Sequence, residues 1–366
     1  MAMRQWLVIL ALAGLMNAAL AAGSGQGELH VLNWADFFIG PQAVDEFARA
    51  QNLHITYSLM ESDDTLQAKL LTGHSGYDVV YPAITHLAQM IRAGVFQPID
   101  WSRIPNRANL DPAILKRLAT QDPGNRYGVP YVWGTSGIVI NASKARAVLG
   151  AGQELDSWDL LFKPELASKL HQCGVSMVDQ ATDVLPVALA YLGRDPHSRD
   201  PADYREAFAM LRKIRPYIDQ FESSYISTMV GGDVCVAFAW SGDAGMIKRR
   251  AAQNGLKDEF RYLTPRGQSG VWFQTMTIPR DAPDVDNAHK WINHMLEVGI
   301  AARITNAITY PTAVPAATKW VDPVLSADTG IFPPPEELKS FFLLSPMDPG
   351  ILPLVTKMWL EFKAGR

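Results

Sequence analysis

Apolar and polar side chains alternate in two runs near the start of the chain, residues 28–34 and 54–59. An apolar period of two residues predicts half-buried strands. Between these runs, Pro41 opens a stretch in which Val44 and Phe47 share one face of a helix. The first part of the chain is therefore predicted to form a strand, a helix and a second strand.

The next segment continues this order of elements. A helix is predicted at about residues 65–71, a short apolar strand at residues 78–81 and a helix at residues 85–91. Strands that alternate with helices are typical of an α/β layer with a mainly parallel sheet. In such sheets ligands lie beyond the carboxyl ends of the strands. Residues 33–38 and 81–83 are therefore the first candidates for a binding site.

A glycine-rich extended run at residues 127–138 separates this block from a second one, and we interpret it as a connector between two lobes. The second block again alternates strands and helices. Its predicted elements are a helix near Trp158, a strand at 174–178, helices at 183–192 and about 202–214, and a strand at 234–240. Extended runs at residues 260–263 and 270–278 follow. The whole chain is predicted to have an α/β fold.

The first residues carry the pattern of an export signal. Arg4 precedes an apolar run, residues 6–15, and a small-x-small cleavage site, Ala-Leu-Ala, at residues 19–21. The apolar run is short for a membrane span and has a cleavage site behind it. We predict a removed signal peptide over residues 1–21 and export of the mature protein; a retained N-terminal anchor is the alternative.

Composition limits the classes of function. With 366 residues and 48% hydrophobic content, the chain can bury two cores of ordinary size. The formal net charge of −4 disfavours nucleic acid as a partner and is compatible with a cationic ligand. Two cysteines, Cys173 and Cys235, predict a disulfide in an exported protein, with two free thiols as the alternative. No paired histidine accompanies them, so we expect no metal site.

Motifs for catalysis are missing from the sequence. The segments 73–76, 134–137 and 267–270 resemble nucleophile elbows, but each lacks the residue that separates Ser from the second Gly. The sequence has no paired-His zinc motif, no phosphate-binding loop with Lys and no calcium loop. His86 lies beside a candidate loop, and we interpret it as structural. We therefore expect a protein that is not an enzyme and that carries no cofactor.

The candidate loops and several other runs resemble, in order, those of bacterial periplasmic polyamine-binding proteins of ABC importers. The similarity covers nearly the whole chain after the predicted signal peptide. It is carried by Asn-Trp-Ala-Asp (33–36), Gly-Val-Phe-Gln-Pro (94–98), Asn-Leu-Asp-Pro (109–112), Pro-Tyr-Val-Trp (130–133), Ser-Trp-Asp-Leu (157–160), Cys-Gly-Val-Ser (173–176), Tyr-Leu-Gly (191–193), Gly-Asp-Val-Cys-Val-Ala (232–237) and Trp-Ser-Gly-Asp (240–243).

This resemblance implies a type II periplasmic binding protein, in which two α/β lobes joined by hinge crossovers close around a ligand. It places lobe 1 at residues 28–133 with about 250–308, and lobe 2 at 134–249 with about 309–366. It also implies a disulfide between Cys173 and Cys235, a monomer, and an inner-membrane ABC permease that recognises the closed state. A ligand that contacts both lobes only when they are shut would favour that state.

The resemblance further implies a site for a small amine. A carboxylate can hold a buried ammonium by a charge-assisted hydrogen bond, and aromatic faces attract it and exclude water. The residues that match the family's site are Trp34, Asp36, Phe37, Ala83, Asp183, Trp240, Asp243, Trp272, Gln274 and Tyr310, with Phe273 as additional wall. We expect Asp36 and Asp243 to hold one ammonium, with Trp34, Trp240 and Trp272 along the carbon chain.

Four positions depart from the family pattern. Ala35 and Ala83 replace serines, Asp183 replaces a glutamate, and Gln274 replaces the aspartate that holds the second amine of putrescine. An unpaired buried ammonium costs several kcal/mol. Two ligand hypotheses follow: a polyamine or guanidino relative whose far end uses Asp183 or water, or an ω-amino acid such as γ-aminobutyrate or 5-aminovalerate. No Arg or Lys maps into the site to hold a carboxylate. A sensory adaptor for a membrane receptor is the alternative to transport.

Overall fold

The structure is a computed structural model that describes residues 27–60, 62–265 and 267–366, without the side chain of Asp36. The predicted signal peptide, residues 1–21, lies outside the described residues. In the part of the chain that is described, no helix is long and apolar enough to cross a membrane.

The strands agree closely with the apolar patterns of the sequence. They are β1 Gly27–Trp34, β2 Leu53–Met60, β3 Val79–Val80, β4 Phe96–Gln97, β5 Val129–Asn141, β6 Val175–Met177, β7 Gln220–Phe221, β8 Val236–Trp240, β9 Phe260–Leu263, β10 Gly270–Met276, β11 Ile278–Pro279 and β12 Phe342–Leu343. The predicted strands at 28–34, 54–59 and 260–263 are confirmed within one residue at each end, because their alternation is interrupted by neither Gly nor Pro.

The helices also follow the predicted order. They are α1 Pro41–Gln51, α2 Asp63–Thr72, α3 Ile84–Arg92, α4 Pro112–Leu118, α5 Ala142–Leu149, α6 Asp159–Phe162, α7 Pro164–Leu170, α8 Ala181–Tyr191, α9 Pro201–Ile214, α10 Ile226–Gly231, α11 Ser241–Gln253, α12 Val285–Met295, α13 Val298–Ile308, α14 Pro323–Ser326, α15 Pro335–Leu338 and α16 Leu352–Lys363. Ser62 caps α2 by accepting a hydrogen bond from the Thr65 amide, so that helix begins earlier than predicted. A 3-10 turn, Ala35–Phe37, follows β1.

The strands form two main sheets. In one sheet the order is β2-β1-β3, and both pairs are parallel. The other sheet has the order β12-β10-β5-β8-β6-β7, with β9 also paired to β5. Within it, β6 is parallel to β7 and to β8, whereas β5 is antiparallel to β8, β9 and β10. The parallel arrangement predicted from the alternation of strands and helices is thus confirmed for the strands that carry crossover helices.

Strand β5 joins two separate hydrophobic clusters. Val129 and residues 131–133 belong to the first cluster, and residues 138–140 belong to the second. All thirteen residues of β5 are buried. The glycines within it allow close approach: a Cβ on Gly134 would lie 2.5 Å from the Trp272 ring. The predicted connector is therefore a single buried strand shared by both halves.

The two clusters divide the chain differently from the lobe bounds expected above. The expected bounds return the chain to lobe 1 at about residue 250, whereas β9 pairs with residues 138–141 and its apolar side chains belong to the second cluster. The first cluster instead resumes at Val271 and continues to Leu344. In the C-terminal part, the residues buried in the second cluster begin at Ile351, and Phe342 and Met347 pack against that cluster.

The predicted disulfide is present. Cys173 and Cys235 are bonded, with an S–S distance of 2.00 Å and their Cα atoms 5.5 Å apart. The bond fastens the 3-10 turn His171–Cys173 to the start of β8, at the centre of the second cluster. A Cβ on Gly174 would lie 2.0 Å from the carbonyl oxygen of Asp233, so only glycine fits beside this bond.

Candidate functional site

A cavity of about 620 Å³ lies between the two hydrophobic clusters. Every predicted site residue lines it except Asp36, whose side chain lies outside the described part of the structure. The lining residues predicted from the sequence are Trp34, Phe37, Ala83, Asp183, Trp240, Asp243, Trp272, Gln274 and Tyr310. Phe273, expected as additional wall, is buried in the first cluster and is not among the residues that line the cavity. It neighbours Trp272 on β10, and successive strand residues point to opposite faces.

Asp243 is held in the first turn of α11, directly after β8. Its carboxylate accepts hydrogen bonds from the hydroxyls of Tyr225, at 2.7 Å, and Tyr310, at 2.6 Å. The residue is only 7% exposed. A carboxylate in the first turn of a helix is also stabilised by the positive end of the helix dipole. The protein thus builds a buried anionic group whose position is fixed by two phenols.

Aromatic rings surround this carboxylate. The Phe37 ring is stacked 6.1 Å from that of Trp272, and the Tyr310 ring lies 5.3 Å from Trp272 and 5.2 Å from Phe37. A Cβ on Gly242 would lie 2.3 Å from the Tyr310 ring, so the glycine lets the ring approach α11. Ring faces beside a carboxylate are suited to an alkylammonium, because they attract the charge and cover the methylene groups.

Asp183 occupies the first turn of α8, the same position that Asp243 has in α11. Its Oδ1 accepts hydrogen bonds from the Trp240 Nε1, at 3.0 Å, and from the Ser136 hydroxyl, at 3.3 Å. Burial raises the pKa of the Asp183 carboxyl above its ordinary value, and these two donors offset only part of that effect. An ammonium beside it would favour the ionised form.

The other wall is formed by the carboxyl ends of β1 and β3 and by β10. Trp34 donates from Nε1 to the carbonyl oxygen of Tyr81, at 3.0 Å, which fixes the orientation of the indole. Ala83 forms an isolated antiparallel bridge with Gln274. Gln274 is 5% exposed, and its Oε1 has no hydrogen-bond partner among the described residues. A buried amide oxygen without a donor is costly unless a ligand supplies one.

His86 and Asp63 also line the cavity, and both were missed as functional candidates. The Asp63 carboxylate lies 3.3 Å from His86 Nδ1 and accepts a hydrogen bond from the Ala83 amide at 3.1 Å. The two residues are far apart in the sequence, so no spacing could reveal the pair. A usable signal was the Ser-Asp-Asp-Thr run at residues 62–65, which predicts a capped helix start close to the carboxyl end of β2.

Further residues complete the site beyond those predicted. Tyr225 and Ser136 act by holding Asp243 and Asp183, and only the fold brings them there. Arg250 also lines the cavity and is exposed. This corrects the expectation that no Arg or Lys maps into the site: Arg250 lies two turns along the helix that carries Asp243. Within the described ranges, no cluster of His, Cys, Asp and Glu could hold a metal ion.

Comparison with known proteins identifies the family. The profile described as bacterial extracellular solute-binding protein matches residues 42–333. The putrescine-binding periplasmic protein SpuD of Pseudomonas aeruginosa is 38% identical over 361 residues, 98% of this chain and 98% of SpuD. The putrescine-binding periplasmic protein PotF of Escherichia coli is 37% identical over 368 residues, 99% of each chain.

A solved structure supports the same assignment. The spermidine/putrescine ABC transporter substrate-binding protein PotD from Streptococcus pneumoniae superposes with a TM-score of 0.78 and 25% identity, over 93% of this chain and 99% of that one. Its fold is the type II arrangement expected from the sequence. This chain therefore belongs to the bacterial extracellular solute-binding protein family, as a periplasmic solute-binding protein and not an enzyme.

Proposed function

We propose that the protein captures a polyamine of the putrescine or spermidine type and delivers it to an ABC importer by closing its two halves around it. The observation that carries the proposal is the buried Asp243 carboxylate, which accepts a hydrogen bond from Tyr310 and lines one cavity with the packed rings of Phe37, Trp272 and Tyr310. An alkylammonium suits such a site, because its charge pairs with the carboxylate and its methylene groups pack against the rings. The names of SpuD, PotF and PotD support the same ligand class.

In this proposal one ammonium binds Asp243, with Asp36 beside it, and the carbon chain lies between the indoles of Trp34, Trp240 and Trp272. The far end of the ligand faces Asp183, Ala83 and Gln274. These contacts are supported by the cavity, which all of them line apart from Asp36. A charge-assisted hydrogen bond at the Asp243 end contributes about 1.5–3 kcal/mol, and each ring that faces the ammonium about 0.5–2 kcal/mol.

Closure follows from the distribution of these groups over the two clusters. Tyr310 packs in the first cluster, whereas Asp243 lies on α11, whose apolar side chains pack in the second. Their hydrogen bond therefore joins the two halves across the cavity. A ligand that neutralises Asp243 while contacting Trp34 and Trp272 gains its full binding energy only in the closed state, so it shifts the equilibrium toward closure.

An ω-amino acid such as γ-aminobutyrate or 5-aminovalerate is the second candidate, because Arg250 supplies a guanidinium at the cavity. Against it, a carboxylate at the far end would face Asp63 and Asp183. Like charges in a partly buried site repel each other strongly. The polyamine therefore fits the charge of the cavity better than the amino acid does.

The partner that we propose is an inner-membrane ABC permease, with the protein acting as a monomer and not binding nucleic acid. The description of PotD as an ABC transporter substrate-binding protein supports the permease. The formal charge of −4 disfavours nucleic acid. A membrane receptor that recognises the closed protein is the competing partner.

Isothermal titration calorimetry with a panel of ligands tests this function. Protein freed of bound ligand by unfolding and refolding would be titrated with putrescine, spermidine, butylamine, γ-aminobutyrate and 5-aminovalerate. We expect the two polyamines to bind at least tenfold more tightly than either amino acid, because the cavity presents several carboxylates to a cation. Tighter binding of an amino acid, or binding of none of the amines, would contradict the proposal.

A further inference from the structure

The wall opposite α11 contains a carboxylate–imidazole pair that the binding scheme above does not use. The Asp63 carboxylate, 5% exposed, lies 3.3 Å from His86 Nδ1. The Thr85 hydroxyl lies 3.1 Å from the same nitrogen. Both His86 and Asp63 line the cavity, so a ligand can reach them.

Charged groups face His86 from two other helices, α2 and α8, whereas β10, which also packs against its helix, carries no charged residue. Asp63 and Asp64 approach from α2, with Asp64 Oδ1 at 3.9 Å from Nε2, and Asp183 acts on it from α8 across the cavity. Burial alone lowers the pKa of His86, but the hydrogen bond to Asp63 and the charges of the three carboxylates outweigh it and raise the pKa above its ordinary value. The raised pKa favours the imidazolium form, which the Asp63 carboxylate 3.3 Å away stabilises.

Gln274 independently indicates that this wall binds a ligand group that donates a hydrogen bond. It is bridged to Ala83, whose amide also donates to Asp63. Its buried Oε1 has no partner among the described residues. A second ammonium would donate to this oxygen and also pair with the Asp63 carboxylate, which His86 neutralises when it is protonated.

We propose that the Asp63–His86 pair makes the far end of the site titratable, so that the ligand's far ammonium, beside Asp183 and Gln274, replaces the proton of His86. The inference rests on the proposed function, since it requires a ligand with two positive charges. When the far ammonium enters, an N–H bond of the imidazolium breaks and its proton passes to solvent. The ammonium keeps its own proton and pairs with Asp63 and Asp183, and the charge of this end of the site is conserved.

This exchange makes His86 a determinant of specificity. A ligand with one ammonium and an apolar end, such as butylamine, leaves the imidazolium in place and releases no proton from it. Putrescine competes with that proton, so its affinity rises with pH while His86 is protonated in the free protein. If putrescine binding releases one full proton, the binding affinity changes about tenfold per pH unit. The pH dependence of putrescine binding is thus the signature of the exchange.

Calorimetry in buffers of different ionisation enthalpy measures the protons released. Wild-type protein would be titrated with putrescine and with butylamine between pH 6 and 8.5. We expect putrescine to release up to one proton and to gain affinity with rising pH, and butylamine to do neither. In His86→Asn the release should disappear, and the ratio of putrescine affinity to butylamine affinity at pH 6 should rise because no proton competes. His54→Asn, an exposed histidine on β2, is the matched control and should keep the wild-type proton release.

Three results would overturn the proposal. Equal proton release by putrescine and butylamine in the wild-type protein would show that no second ammonium displaces a proton, and this readout needs no variant to fold. Release that persists in His86→Asn would assign the titration to another group, such as Asp183. Release that is lost equally in His54→Asn would deny His86 a special role. Failure of all amines to bind at every pH is a different result, because it contradicts the proposed function itself.

Discussion

The two ends of the cavity hold charge by different means. At the Asp243 end, formed by Phe37, Asp243, Trp272 and Tyr310, a carboxylate is locked by two phenol hydroxyls inside a set of rings. At the Asp63 end, formed by Asp63, Ala83, His86 and Gln274, a carboxylate faces an imidazole and a buried amide oxygen without a partner. The first end is prepared for one kind of group, a cation. The second can change its charge by gaining or losing a proton.

This difference implies that the Asp243 end supplies affinity for amines and the Asp63 end supplies selectivity among them. A preorganised carboxylate with aromatic walls gives the same free energy to any alkylammonium, so the Asp243 end cannot distinguish a diamine from a monoamine. Discrimination must come from the Asp63 end, where a second cation, a neutral group or an anion meets different partners. Four substitutions test this division of roles, in order of decreasing expected effect.

Asp243→Asn should weaken binding of every amine, and by the largest factor. The amide keeps the shape, but only its oxygen can accept, so one of the two phenols must instead accept from the amide N–H. The substitution leaves a buried ammonium without its counter-charge, which costs about 3–5 kcal/mol, or roughly a hundred- to several-thousandfold in affinity. Calorimetry with putrescine and butylamine measures this loss. A loss confined to putrescine would show that the two ends are assigned the wrong way round.

Gln274→Asp should tighten putrescine binding by about ten- to a hundredfold, since a charged hydrogen bond adds about 1.5–3 kcal/mol where the amide oxygen now has no partner among the described residues. Butylamine, which does not reach this end, serves as the reference ligand in the same titration. Unchanged or weaker putrescine binding would mean that Gln274 does not face the far ammonium.

Trp272→Leu should weaken binding of putrescine and butylamine alike, by about two- to thirtyfold, because one cation–π contact of about 0.5–2 kcal/mol is lost. Phe273→Leu is the matched control: it removes a neighbouring ring on β10 that does not line the cavity. Thermal melts of both variants separate folding from binding. If Phe273→Leu lowers affinity as much as Trp272→Leu, the effect is one of packing and not of ring contact with the ligand.

Asp183→Asn should raise the melting temperature of the ligand-free protein by a few degrees at neutral pH. Burial raises the folded-state pKa of the Asp183 carboxyl above the ordinary 3.8. The protonated carboxyl is therefore the form that the folded state favours. Its contribution to the free energy of unfolding is fully present below the unfolded pKa and is lost as the pH rises through the folded pKa, where the buried group ionises. The gain from asparagine should vanish as the pH falls toward 3.8. A gain that is the same at all pH values would point to a cause other than ionisation.

Much of the site could be predicted because its residues follow strands. Trp34 ends β1, Trp240 ends β8, and Asp243 lies in the turn of helix that comes next, so the sequence pattern and the family resemblance both led to them. Asp63 and His86 were not predicted as site residues, because they lie on two different helices and such a pair produces no periodic pattern in the sequence. The lobe bounds near residues 250 and 309 stay predictions for a related reason: a short strand such as β9 has the same alternation whichever sheet it joins.

The sequence by itself determined the alternating strands and helices, the export pattern, the carboxylates and rings of the site, and the presence of two cysteines able to pair. These features are local or depend only on residue type and order. The tertiary structure decided that β5 is shared by both halves, that Tyr225 and Tyr310 converge on Asp243, and that His86 faces Asp63. Such contacts join residues distant in sequence, and only packing of the whole chain brings them together.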